Sequence, residues 1–153
     1  MNQKVDEIVN RLGLTLPHPA KPVGVYQPVV LSGGFAFLSG QLSKDAEGRL
    51  VMGKVGQELN LEQARQAARL ALLQAVSLIR SEIGLERFER VVRMVGFIQS
   101  APDFYAHSEV MNAASELWVE IFGEKGKHVR TSIGVASLPL NAAVEIELTL
   151  KLQ

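Results

Sequence analysis

The C-terminal run VRTSIGVASLPLNAAVEIELTLKLQ sets one arginine and two glutamates inside what otherwise reads as two buried strands. Arg130 is the sharpest chemical candidate. A guanidinium keeps its charge throughout the biological pH range, and its fork of N–H groups matches a carboxylate. Burying it at the start of an apolar strand is costly unless an anion or several acceptors compensate. Two readings stay open: an exposed arginine or a structural ion pair with Glu145 or Glu147, or a seat for an incoming organic anion. Glu145 has the chemistry of a general base or of a group that orients water. Glu147 shares its strand face, so one carboxylate can hold the other, or both can satisfy basic groups. A tight turn centred on Leu140 would put Glu145 beside Val135, and at ~3.3 Å per residue that leaves it several residues from Arg130. The spacing therefore predicts a shared cleft rather than a direct bond.

Other chemistries fail on motif. SGGFAFLSG is glycine-rich but has neither GxGxxG nor GxxxxGK[ST] spacing, so Gly33 and Gly34 read as a hairpin turn and not as a phosphate cradle. His18, His107 and His128 lie far apart and form no metal-ligand spacing. There is no GxSxG, and Ser39 and Ser132 have no histidine base evident in the sequence. The chain has no cysteine, which removes disulfides, thiol nucleophiles and thiolate metal sites. No cofactor and no metal are expected. Sixteen basic residues balance sixteen acidic ones, so no broad field recruits nucleic acid or an anionic membrane. No apolar stretch approaches the roughly 18 residues of a membrane span. MNQKVDEIVNRLG reads as an amphipathic helix and not as an export signal, and a cytoplasmic location is expected.

The elements that must position Arg130 and Glu145 follow from periodicity. A chain of 153 residues suits one domain, 1–153, in which 1–18 form an N-terminal helix and connector. Val5, Ile8, Val9 and Leu12 make one stripe of a helix from Gln3 to Leu12, ended by Gly13. The connector LPHPAKP should be irregular. PVVLSGGFAFLSGQLS predicts two strands around the glycines, with a short return strand near Leu50 and Val51. Asn60 with Gln63 marks the capped start of a long helix whose Ala64, Ala67, Ala68, Ala71 and Ala75 can lie close to a sheet. FERVVRMVGFIQS predicts a strand, Tyr105 to Phe122 a second long helix with Trp118 in the core, and the tail a last pair of strands around LPLNA. The order predicts an α/β (α+β) layer structure, a mixed sheet with both long helices on one face. Leu31, Phe35, Phe37, Val91, Val95 and Phe97 supply more apolar surface than two helices need, which predicts association across the open sheet face.

The ordered pattern VRTSIGVASLPLNAAVEIE resembles the RidA family (YjgF/YER057c/UK114) of reactive-intermediate deaminases. VGVYQPV followed by FLSGQL, and the helix around Asn112, extend the similarity over about Pro19 to Leu152. The resemblance implies a chorismate-mutase-like fold and a homotrimer with clefts between subunits. It implies Arg130 as ligand of the substrate carboxylate and Glu145 as the residue that positions or activates water. Tyr26, Ser39, Gly40, Asn112 and Ser132 are implied as further wall or substrate-binding residues. The implied reaction is hydrolysis of enamine and imine intermediates such as 2-aminoacrylate to 2-keto acids and ammonia. The alternative is a noncatalytic trimer that binds a small carboxylate or another protein. An association of the family with ribonuclease activity has no counterpart here in a basic patch or an aromatic stacking motif. His128-Val129 before Arg130, Thr131 after it, and Ser132 at a position where some members carry cysteine depart from the common pattern.

Overall fold

The computed structural model describes residues 1–19, 21–22 and 24–153. Ala20 of the connector and Val23 of the VGVYQPV match lie outside the described residues. Three helices, α1 (Asn2–Arg11), α2 (Leu61–Glu82) and α3 (His107–Phe122), accompany five strands, β1 (Val29–Ser32), β2 (Phe35–Leu42), β3 (Phe88–Gln99), β4 (Val129–Val135) and β5 (Val144–Leu152). None of these helices is long and apolar enough to cross a membrane.

Local chemistry accounts for the element ends. Gly33 and Gly34 both take positive φ, 56° and 77°, as a two-residue hairpin between antiparallel β1 and β2 requires. At the start of α2 the Asn60 side chain accepts from the Gln63 N–H at 2.9 Å, and the Gln63 side chain accepts from the Asn60 N–H at 2.8 Å. That reciprocal pair satisfies two of the donors a helix start leaves free. Gly84, with φ of 88°, leads the chain out of α2. The start of α3 is His107 and not Tyr105, because the APDFYA segment turns before it can wind.

The strand order is β1-β2-β5-β3-β4. β5 is antiparallel to both of its neighbours, whereas β4 runs parallel to β3 at the sheet edge. The expected terminal strand pair around LPLNA is therefore not a hairpin. Glu145 lies opposite Phe97 and Leu42, and Val135 lies opposite Gln99, so β3 separates the two strands. The physical reason is that β3, twelve residues long, offers both edges to the tail. The connection from β4 to β5 then has to step over the end of β3. Buried Gln99 holds it there, accepting from the Leu138 N–H at 3.2 Å and donating to Asn141 Oδ1 at 2.7 Å.

The helices cover one face. Ala36, Leu38, Met94, Ile98, Val144, Ile146, Leu148 and Leu150 are buried against them, as the alternation in the last strand predicts. The five alanines of α2 are fully buried, which lets that helix lie close. Trp118 of α3 packs edge-on to Phe88 with ring centroids 5.9 Å apart and lies 4.7 Å from Phe122. Through Val5, Ile8 and Val9, α1 joins this core, and Asp6–Arg80 and Arg11–Glu120 pairs at 2.8 and 3.0 Å tie it to α2 and α3. Val91, expected on the surplus face, is instead fully buried under the helices, because the irregular register between Val91 and Arg93 resets the alternation of β3. Leu31 pairs with Ala36 and so also falls on the helix side. Phe35, Phe37, Val95 and Phe97 do share the opposite face, together with Ile133 of β4.

The capping box gives a direct check. Asn60→Ala removes the side-chain acceptor at the head of α2 and should lower unfolding stability by about 1 kcal/mol, read from the shift in urea midpoint at unchanged slope.

Candidate functional site

Arg130 lies opposite Met94 on β4, which puts it on the helix side of the sheet. Because β4 is an edge strand, the side chain reaches past the sheet to α3. Its Nη1 donates to Asn112 Oδ1 and to Ser115 Oγ, each at 3.0 Å, and its Nη2 donates to the Ser108 carbonyl at 3.3 Å. Ser108, Asn112 and Ser115 stand at i, i+4 and i+7, one polar stripe on a helix whose other faces bury Val110, Met111, Ala114, Leu117 and Trp118. Among the described residues no carboxylate pairs with Arg130. Burial pushes its pKa down without removing its charge. The protein thus occupies both Nη1 hydrogens and one on Nη2 and leaves Nε–H and a second Nη2–H for an incoming anion. The guanidinium borders an open hollow of about 400 Å³ that is also lined by Ser115, Val119, Lys127 and His128. Ser132 follows two residues along the same face, its Oγ buried without a partner among the described residues.

Glu145 stands elsewhere. It points to the sheet face away from the helices, alternating with buried Val144 and Ile146. Burial, and then the neighbouring Glu147 carboxylate, push its pKa up. The carboxylate lies directly on Gly40, where a Cβ would overlap Glu145 Oε1. Gly40 belongs to an irregularity of β2 between Leu38 and Gln41, which leaves Ser39 and Gly40 without regular partners on β5. Ser39 donates its N–H to the Pro28 carbonyl at 2.9 Å and so ties the Tyr26 loop to β2. Tyr26, Ser39, Gly40, Gln41 and Leu140 line one small pocket of about 60 Å³. Leu140 is held there at φ of 59°, a left-handed conformation that is costly for leucine, on the loop braced by Gln99.

The residues singled out in the sequence therefore separate. Arg130 and Asn112 meet at the edge where β4 faces α3, with Ser132 two residues along the strand, and Gly40 and Glu145 meet at the bulge of β2. Tyr26 and Ser39 line the neighbouring pocket, whose wall includes Gln74 of α2. Within one chain Arg130 and Glu145 lie on opposite faces of the sheet, so the cleft expected to hold both is not formed by a single copy. The ion pair between Arg130 and either glutamate is excluded by the same geometry. Sequence reasoning passed over Ser115, although its spacing of three from Asn112 carried the signal; Ser108 takes part through its backbone carbonyl, which its side chain does not announce. It also passed over Leu140 as a wall residue, for which leucine offers no cue.

Residues 7–152 match the family described as "YjgF/chorismate_mutase-like, putative endoribonuclease". The chain belongs to the RidA family. It is 40% identical over 146 residues to Protein TCP17 of Trypanosoma cruzi, with 94% of this chain and 91% of that protein covered. It is 30% identical to a 2-iminobutanoate/2-iminopropanoate deaminase of Dermatophagoides farinae, with coverage of 88% and 91%. Among solved structures, the protein Atu1372 of Agrobacterium tumefaciens, titled as of unknown function, superposes with a TM-score of 0.91 at 33% identity over 99% of this chain and 95% of that one. The chorismate-mutase-like α+β architecture of the RidA family is the one described above.

The raised pKa of Glu145 has a signed consequence. Its neutral form is favoured in the folded state, so this contribution to stability is complete below the unfolded value of about 4.3 and is lost as pH rises through the folded value. Glu145→Gln should accordingly unfold at a higher temperature than the wild type at pH 7.5, with the difference shrinking towards pH 4, as followed by calorimetry across that range.

Proposed function

We propose that this protein hydrolyses short 2-enamine and 2-imino acids, such as 2-aminoacrylate, to 2-keto acids and ammonia, at sites shared between copies in a cytoplasmic homotrimer. The observation that carries this reading is a cation held by neutral acceptors alone, with N–H groups to spare beside an open hollow. The deaminase among the relatives supports the reaction class.

The chemistry asks little of the protein. The enamine takes a proton from solvent at its terminal carbon and becomes the N-protonated 2-imino acid, while the free N–H groups of Arg130 hold its carboxylate. Water then adds to the imine carbon: its oxygen forms the new bond, and the proton it loses passes to Glu145 as the C=N pair moves to nitrogen. The resulting carbinolamine receives that proton on nitrogen, its hydroxyl proton passes to solvent in place of the one taken up at carbon, and the C–N bond breaks to give ammonia and the keto group. A carboxylate whose pKa is raised by burial is a better proton acceptor than a free one, and it can return the proton it takes. The imine carbon is already electrophilic, so positioning and proton transfer suffice.

A shared site reconciles the two separated groups. The arginine edge of one copy would meet the Gly40–Glu145 face of the next, and the apolar stripe of Phe37, Phe97 and Ile133 would be covered on assembly. A coupled assay that generates 2-aminoacrylate tests the activity. Arg130→Ala should lose roughly 100-fold or more in kcat/KM and Glu145→Gln at least as much. Co-refolding the two variants at equal ratio should restore about one quarter of wild-type activity, because each site draws its arginine from one copy and its glutamate from a neighbour in a closed ring. No recovery on mixing would refute the shared site, and ligand binding without accelerated ammonia release would favour a binding module.

A further inference from the structure

Behind Arg130 lies a hydrogen-bond chain that the proposed reaction does not use. Ser115 Oγ is 2.9 Å from His128 Nε2, and His128 Nδ1 is 2.6 Å from the Gly126 carbonyl. The direction of the chain is determined at both ends. A carbonyl only accepts, so Nδ1 carries the ring proton; the neutral ring must then accept at Nε2 from the Ser115 hydroxyl. A guanidinium only donates, so the Ser115 oxygen accepts from Arg130. The far end is anchored, because buried Gly126 packs on α3 so closely that a Cβ there would lie 2.8 Å from the Trp118 carbonyl oxygen.

The charges around the ring favour the neutral form. Arg130 follows on the same strand, Arg90 of β3 donates to the Lys127 carbonyl at 3.2 Å, and the Lys127 ammonium pairs with Glu124 at 2.7 Å. The ring therefore sits among cations, and the one carboxylate in the group is already engaged. Burial and then the positive charge of Arg130 push the His128 pKa down, while its bond to the Gly126 carbonyl works the other way.

We propose that Ser115 and His128 are positioning residues: the Nδ1–H imidazole orients the Ser115 hydroxyl, and that hydroxyl sets the angle at which Arg130 presents its remaining N–H groups to the carboxylate of a short 2-keto or 2-imino acid. This rests on Arg130 being the carboxylate ligand. Asn112 supplies the second acceptor on the same nitrogen, so Nη1 is pinned from two sides and the guanidinium plane cannot swing. Without Ser115 or its histidine, one of those two restraints is lost and the unbound fork samples a wider arc.

The test uses the full-length protein and 2-oxobutanoate as a stable probe, titrated calorimetrically, together with steady-state kinetics. Ser115→Ala and His128→Leu should each weaken 2-oxobutanoate binding roughly 3- to 10-fold and raise KM to match, with kcat within about twofold of wild type. Ser115→Thr keeps the hydroxyl and His128→Gln keeps an acceptor where Nε2 lies, so both should return to within about twofold. Imidazole ¹⁵N shifts at pH 7.5 should report a proton on Nδ1. Unchanged affinity in Ser115→Ala, equal weakening by His128→Leu and His128→Gln, or a proton on Nε2 would overturn the proposal while leaving the role of Arg130 intact. Unchanged affinity in Arg130→Ala would instead remove the carboxylate reading itself and this proposal with it. Should His128→Leu not fold, Ser115→Ala against Ser115→Thr carries the same comparison.

Discussion

A guanidinium that meets no carboxylate among the described residues has to be supported by dipoles, and the packing of β4 against α3 provides them. Three groups on one stripe of α3, the Ser108 carbonyl, the Asn112 amide and the Ser115 hydroxyl, meet the side chain as it leaves the sheet edge. An acidic partner would have neutralised the guanidinium and filled the place where the proposed reading seats an organic acid. Neutral acceptors hold the charge without quenching it. Its location at an edge strand matters as much, because a central strand would have enclosed the side chain beneath the helices.

The sheet is correspondingly two-sided. One face is committed to α2 and α3 and buries nearly every inward side chain. The other carries aromatic and aliphatic residues around Glu145 and Glu147, two like charges separated by one residue. Gly40 makes room for the first of these at the irregularity of β2, and the absence of a side chain there is what allows the carboxylate its position. The arginine and the carboxylate are thus divided between an edge and a face, a division that leaves only assembly able to bring them together within the proposed site.

Much of this was legible in the residues, and the limits have physical causes. The helix from Asn60, its capping box and its alanine face are written in local spacing, and so is the inward alternation of Val144, Ile146, Leu148 and Leu150. Gly33 and Gly34 announced their turn because only glycine takes positive φ cheaply. Strand order was not legible: a short LPLNA link looks like a hairpin whenever the strand it steps over is unknown, and the strand that separates β4 from β5 is β3, distant in sequence. The face of Arg130 depended on that order, since a strand's register decides which side its side chains take, whereas that of Glu145 followed from the alternation of its own strand. Ser115, one turn beyond Asn112 on α3, was readable from its spacing, whereas nothing about a leucine advertises the left-handed backbone of Leu140.

The place of β5 in the sheet has a bearing on biosynthesis. β5 follows the other four strands in the chain and is the one that joins β2 to β3, so the pairs β1–β2 and β3–β4 share no strand ladder until it has been made. A polypeptide stalled before Val144 would expose two long unpaired strand margins and lack the glutamate altogether. Closure of the sheet and arrival of Glu145 are therefore a single event.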